Sequence, residues 1–194
     1  MFGIFYGLLG TIMWILFIAG IVCVIAKSRT NRNNGITAYQ ALMGYFYFVT
    51  GASIMTAVIG LIHVAAAVIS RAFDGGEIAN DASLGFTLIT TGSIICALHI
   101  CGRRVLERKL VQAASGLRRV YLFIMLGITS ITGLIALPLA ANDTINYLME
   151  ESRYRDDPSE QLAVTVVFLP LWAYYLFATI RELRGGNTRM EVDC

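Results

Sequence analysis

The sequence predicts an all-α integral membrane protein: a helical bundle of five transmembrane helices, with the N-terminus outside and the C-terminus inside. Three observations carry this expectation. Five long stretches, residues 2–26, 38–70, 82–102, 120–141 and 161–180, contain no Asp, Glu, Lys or Arg. Each is about as long as a helix needs to be to cross a hydrocarbon core roughly 30 Å thick, and a backbone in lipid must satisfy its own hydrogen bonds. Charged residues are only 14% of the chain, where a soluble domain carries about a quarter. Finally, the segments between the stretches alternate between basic and acidic, as expected of loops on opposite sides of a membrane.

The first stretch begins Met1-Phe2-Gly3-Ile4, with no basic residue ahead of a long apolar run. A signal peptide has a basic start and a shorter apolar core, so this stretch is expected to remain as the first helix. Gly3 and Gly7 form a GxxxG pair, and Thr11 continues that face one turn on. Such a face lets another helix approach closely. Lys27, Arg29 and Arg32 follow with no acid among them, which places this loop inside.

Thr37 and Gln40 form a capping box before the second helix. Tyr39, Tyr45 and Tyr47 sit at its start, where amphipathic rings favour the headgroup level, and Tyr121, Tyr174 and Tyr175 are expected near the same interface. Ala52, Thr56 and Gly60 form a small-residue stripe suited to helix packing. Arg71, Asp74, Glu77 and Asp81 make an outer loop, with Asp81 able to cap the third helix. The next loop carries Arg103, Arg104, Glu107, Arg108, Lys109, Arg118 and Arg119 and is strongly basic. The fourth carries Asp143, Glu150, Glu151, Arg153, Arg155, Asp156, Asp157 and Glu160. Asp157, Pro158 and Glu160 suit a cap, a first-turn proline and an acidic third position. Gly185-Gly186 is expected to end the last helix, and the tail carries Arg181, Arg184 and Arg189 beside Glu182, Glu191 and Asp193.

The second and fourth helices match at a shift of 76 positions. Tyr45 meets Tyr121, Gly51 meets Gly127, Thr56 meets Thr132, Ile59 meets Ile135 and Leu61 meets Leu137. At a slightly different shift, Leu98 and Arg103 align with Leu176 and Arg181. The expected organisation is an N-terminal helix (1–27), a four-helix membrane domain (38–183) built from a parallel repeat of two pairs (38–102 and 118–183), and a cytoplasmic tail (184–194). The pseudo-twofold axis would lie along the membrane normal.

The turn Leu117-Arg118-Arg119-Val120-Tyr121 and the Pro170 and Trp172 of the last helix resemble an uncharacterised prokaryotic four-helix membrane domain of unknown function. The resemblance covers residues 38–183. It implies a fold and residence in a bacterial or archaeal cell membrane, and it brings no activity and no functional residues.

The residues able to carry chemistry are few. His63 and His99 are the candidate ligands for haem or a chlorophyll-type pigment. Counted from the outer ends of their helices, their depths differ by about 13 Å, too much for one shared haem. Without a ligand they would snorkel or bond to a neighbouring helix. Cys23, Cys96, Cys101 and Cys194 match no metal spacing and are expected as apolar filler or, for Cys194, a bare terminus. The cluster Glu150, Glu151, Asp156, Asp157 and Glu160 lacks EF-hand spacing and reads as a solvated face or a surface for a basic partner.

No charge lies within a stretch, so an ion-coupled carrier has no obvious relay. No nucleophile triad, HExxH or phosphate loop is present, so no enzyme is expected. The formal net charge of +2 points to no nucleic-acid partner. The leading expectation is a non-catalytic accessory or scaffold subunit. It would pack against other integral membrane subunits, in contact with lipid and with no cofactor. Its packing surfaces would be Gly3, Gly7, Ala52, Thr56 and Gly60. Two alternatives stand beside it. One is a module binding haem, pigment, lipid or quinone. The other is a carrier of small neutral solutes, with Thr90, Thr91, Ser93, Ser130 and Thr132 lining a path broken at Pro170.

Overall fold

A computed structural model describes residues 38–73, 78–107, 111–149 and 158–190. The element order is α1 (Ala38–Ser70), a 3-10 turn (Arg71–Phe73), α2 (Ile78–Glu107), α3 (Val111–Met149) and α4 (Ser159–Met190). All four α-helices are long and apolar enough to cross a membrane. The chain divides into two compact units, Met1–Gly44 and Tyr45–Cys194, and the packing described below is that of the second.

The expected five-span bundle is corrected here to four spans among the described residues. The stretch 2–26, with Gly3 and Gly7, lies outside the described residues. Four spans do not fix which side of the membrane the termini occupy. Alternating loop charge places successive loops on opposite faces of a membrane, and it is satisfied by four spans as readily as by five.

Helix ends also differ from the expected ones. α1 matches its apolar stretch, whereas α2, α3 and α4 run four to ten residues further at one or both ends. Charge ends a hydrocarbon-compatible run without ending a helix, because Arg and Glu are good helix formers once the chain reaches the headgroups. The glycine pair 185–186 does not stop α4, which continues to Met190. α2 begins at Ile78, ahead of Asp81, so Asp81 lies inside the helix rather than at its cap. At the start of α4 the carbonyl of Pro158 accepts the Leu162 N–H at 3.1 Å, so Pro158 itself occupies the capping position. Thr37 and Asp157 lie outside the described residues. α3 and α4 continue through Pro138 and Pro170 without a break.

Ring contacts give the relative directions. Tyr47 of α1 stacks near Tyr121 of α3 (centroids 5.3 Å), and Phe73 meets Tyr147 at 4.9 Å. Residues therefore pair in ascending order along α1 with its following 3-10 turn and along α3, and α1 and α3 run parallel. Phe46 lies beside Gly102 while Gly60 lies beside Gly85, so α2 runs antiparallel to α1. Tyr121 bonds to Tyr175 while Arg118 pairs with Glu182, so α4 runs antiparallel to α3.

The inward faces carry Tyr47, Met55, Val58 and Ile62 on α1, Leu122, Met125, Ile128, Ala136 and Ala140 on α3, and Ala163, Val164, Val167, Phe168 and Tyr175 on α4. Leu61, Phe86, Leu98, Leu134 and Phe177 are exposed at the bundle surface. That surface carries no penalty in lipid, whose tails are as apolar as leucine, so close packing rather than apolar burial selects the inward face. Five buried Thr and Ser hydroxyls are satisfied within their own helices. Thr50 donates to Phe46 O (2.7 Å), Ser53 to Val49 O (2.6 Å), Thr129 to Met125 O (2.9 Å), Thr132 to Ile128 O (2.9 Å) and Thr179 to Tyr175 O (2.7 Å). This one-turn bond is how a buried hydroxyl avoids an unmet polar group in hydrocarbon.

Candidate functional site

α2 meets α1 backbone to backbone. Its only buried residues among the described ones are Gly85 and Gly92. A Cβ on Gly85 would come within 2.7 Å of the Gly60 carbonyl oxygen, and one on Gly92 within 2.8 Å of Ala57 N and Ser53 O. The seam on α1 is thus Ser53, Ala57 and Gly60. Of the expected stripe, Gly60 belongs to it. Ala52 and Thr56 are half-buried and lie one position away, with the Thr56 hydroxyl bonded to Ala52 O at 3.0 Å.

All four helices meet at one end of the bundle. Tyr47 from α1, Tyr121 from α3 and Tyr175 from α4 form a layer, and the Arg103 guanidinium of α2 lies 4.8 Å over the Tyr47 ring. The Tyr121 and Tyr175 hydroxyls are 3.3 Å apart and share one hydrogen bond. Tyr47 and Tyr175 are almost wholly buried, and Tyr174 packs edge-on against Tyr175 with centroids at 5.2 Å. The described side chains at this end include six arginines, at positions 103, 104, 118, 119, 181 and 184, against one acid, Glu182. Glu182 is engaged by Arg118 Nε at 3.3 Å. The Nε of Arg119 is buried and has no hydrogen-bond partner among the described residues. Sequence placed these tyrosines at a headgroup level. It did not reveal that three of them turn inward, because a bundle apolar on every face has no pattern marking which side is inside.

The two histidines are far apart. His99 packs against Tyr45 and Phe46 (centroids 5.8 and 5.7 Å), and its Nδ1 is 2.8 Å from Ile95 O. His63 lies seventeen residues further along α1 than Phe46, or roughly 26 Å at 1.5 Å per residue. Their separation is about twice that expected from helix ends; the earlier start of α2, at Ile78 rather than residue 82, accounts for about 6 Å of the difference. They do not form one site. Cys96 is half-buried and Cys101 exposed, both free, and Cys23 and Cys194 lie outside the described residues. So does the acidic cluster, except Glu160. Thr90, Thr91 and Ser93 face outward on α2, Thr132 is buried against its own helix, and Pro170 is exposed. These residues do not line a common path.

The sequence model of a family described as a domain of unknown function (DUF5671) matches residues 44–158. The chain belongs to this family. The matched part runs from α1 through α3 and ends just before α4, so Pro170 and Trp172 lie beyond it. No curated protein and no solved structure matches the chain. Together with the four helices of spanning length, the fold is that of an all-helical, multi-pass membrane protein in contact with lipid.

Proposed function

We propose that this DUF5671 member is a non-catalytic subunit of a larger membrane assembly in a prokaryotic cell membrane, docking other spanning chains through α2. The observation that carries this reading is the seating of α2. The helix touches α1 through a glycine seam while Ser83, Thr87, Thr90, Ile94, Leu98, Cys101 and Val105 line its opposite, exposed face. Three hydroxyl-bearing residues on one half of a lipid-facing stripe suit a helix neighbour better than acyl chains, since hydroxyls bond across helix interfaces in membranes. Thr87 and Thr90 back-bond to Ser83 O and Phe86 O, which leaves their oxygens able to accept a further bond.

The same reading treats the two helix pairs as a parallel repeat. Parallel α1 and α3, each with an antiparallel partner, are the arrangement a pseudo-twofold axis along the membrane normal requires. Gly60 and Gly85 are tightly apposed, and the positions aligned with them by the repeat, Ala136 and Ala163, are both fully buried.

Purification in a mild detergent at native expression, followed by mass spectrometry of the intact assembly, tests the proposal. Co-purification of a stoichiometric membrane partner that is lost on Thr87→Leu with Thr90→Leu is the expected result. A clean monomer overturns it.

A further inference from the structure

We infer that the tyrosine layer at the arginine-rich end binds the phosphate of an anionic phospholipid seated between the helices. The inference is independent of the subunit reading. Two features of the cluster point to an acceptor-only, negatively charged ligand. The first is donor excess. Tyr121 and Tyr175 carry two O–H protons and share one hydrogen bond, so one phenolic proton remains to be donated elsewhere. Arg119, two positions before Tyr121 and therefore on another face of α3, adds a second donor at this end of the bundle, its buried Nε–H having no acceptor among the described residues. Buried donors ordinarily find partners.

The second feature is charge. Six arginines surround this end, and its one described acid is already paired with Arg118. Arg103 is held over the Tyr47 ring, which fixes its guanidinium beside the layer. Guanidinium groups suit phosphate geometry, offering several N–H donors in a planar fork. A phosphodiester supplies oxygen acceptors and a negative charge together, while its acyl chains find the exposed apolar surfaces of Phe123, Tyr174 and Phe177. The zwitterionic phosphatidylcholine headgroup carries the same phosphate beside a quaternary cation that six arginines repel. An anionic headgroup has no such conflict.

The test uses the full chain in detergent, titrated with dioleoyl phosphatidylglycerol, dioleoyl phosphatidylcholine or inorganic phosphate. Thermal unfolding and native mass spectrometry read the binding. Phosphatidylglycerol is expected to raise the unfolding temperature and to be retained as a discrete adduct, whereas the other two are not. Tyr121→Phe with Tyr175→Phe keeps the rings and removes the donors. This variant is expected to weaken phosphatidylglycerol binding about tenfold, as loss of a hydrogen bond to a charged group predicts. Its unliganded unfolding temperature is expected to stay near that of the parent, and each single variant provides the same reading should the double variant fail to fold. Equal responses to the two lipids, or unchanged affinity in the Phe variants, overturn the site. Binding of inorganic phosphate as tight as that of the lipid overturns the lipid assignment.

Discussion

Gly85 of α2 lies so close to Gly60 of α1 that a Cβ on Gly85 would sit 2.7 Å from the Gly60 carbonyl oxygen. The obstacle is backbone, which cannot rotate away as a side chain can. Gly85→Ala must therefore push the helices apart. Helix propensity favours Ala by about 1 kcal/mol, whereas overpacking costs about 1–3 kcal/mol. The expected net result is a loss of up to about 2 kcal/mol, read as a lower unfolding temperature in detergent. Gly92→Ala, with Ala57 N and Ser53 O at 2.8 Å, is expected to behave alike.

Glycines in open positions are expected to respond in the opposite direction. A Cβ on Gly127 or Gly133 of α3 would meet nothing within 4 Å. Gly127→Ala and Gly133→Ala should each stabilise by about 0.5–1 kcal/mol, since Gly in a helix interior costs that much relative to Ala. A fall in unfolding temperature for either would mean that an unseen neighbour occupies that face.

This contrast shows what the sequence could and could not disclose. The four described spans were legible because lipid imposes their length and apolarity. The packing seam was not, since Ala52, Thr56 and Gly60 are as small as Ser53, Ala57 and Gly60, and lipid and core select the same residues. Gly60 was shared by both readings; the neighbouring face differed by one position. Tyrosines 47, 121 and 175 were placed at a common level by sequence. Their inward turn and the seating of Arg103 over Tyr47 depend on helix rotation, which an apolar sequence leaves unspecified.

Thr129 and Thr132 are buried, and among the described residues their hydroxyls bond only to carbonyls one turn back on α3. Those carbonyls keep their ordinary helical N–H partners when the hydroxyl is removed. Thr132→Val is expected to stay within about 1 kcal/mol of the parent, because the net value of one intramolecular hydrogen bond is of that size. A larger loss in detergent unfolding would reveal a second partner for the hydroxyl across the bundle.

His99 offers the most discriminating substitution on α2. Its ring packs against Tyr45 and Phe46, and its one hydrogen bond among those resolved here runs from Nδ1 to Ile95 O at 2.8 Å in the same helix. If packing dominates, an aromatic ring of similar size can replace it. Under the repeat alignment the corresponding position on α4 is Phe177. His99→Phe should therefore cost no more than about 1 kcal/mol, the worth of the lost hydrogen bond. His99→Ala removes both ring contacts as well, and aromatic pairs add about 0.5–1.5 kcal/mol each beyond simple burial. The expected order of unfolding temperature in detergent is parent, then Phe, then Ala. A Phe variant as unstable as the Ala variant would show that the imidazole nitrogens, rather than the ring, hold this part of α2 against α1.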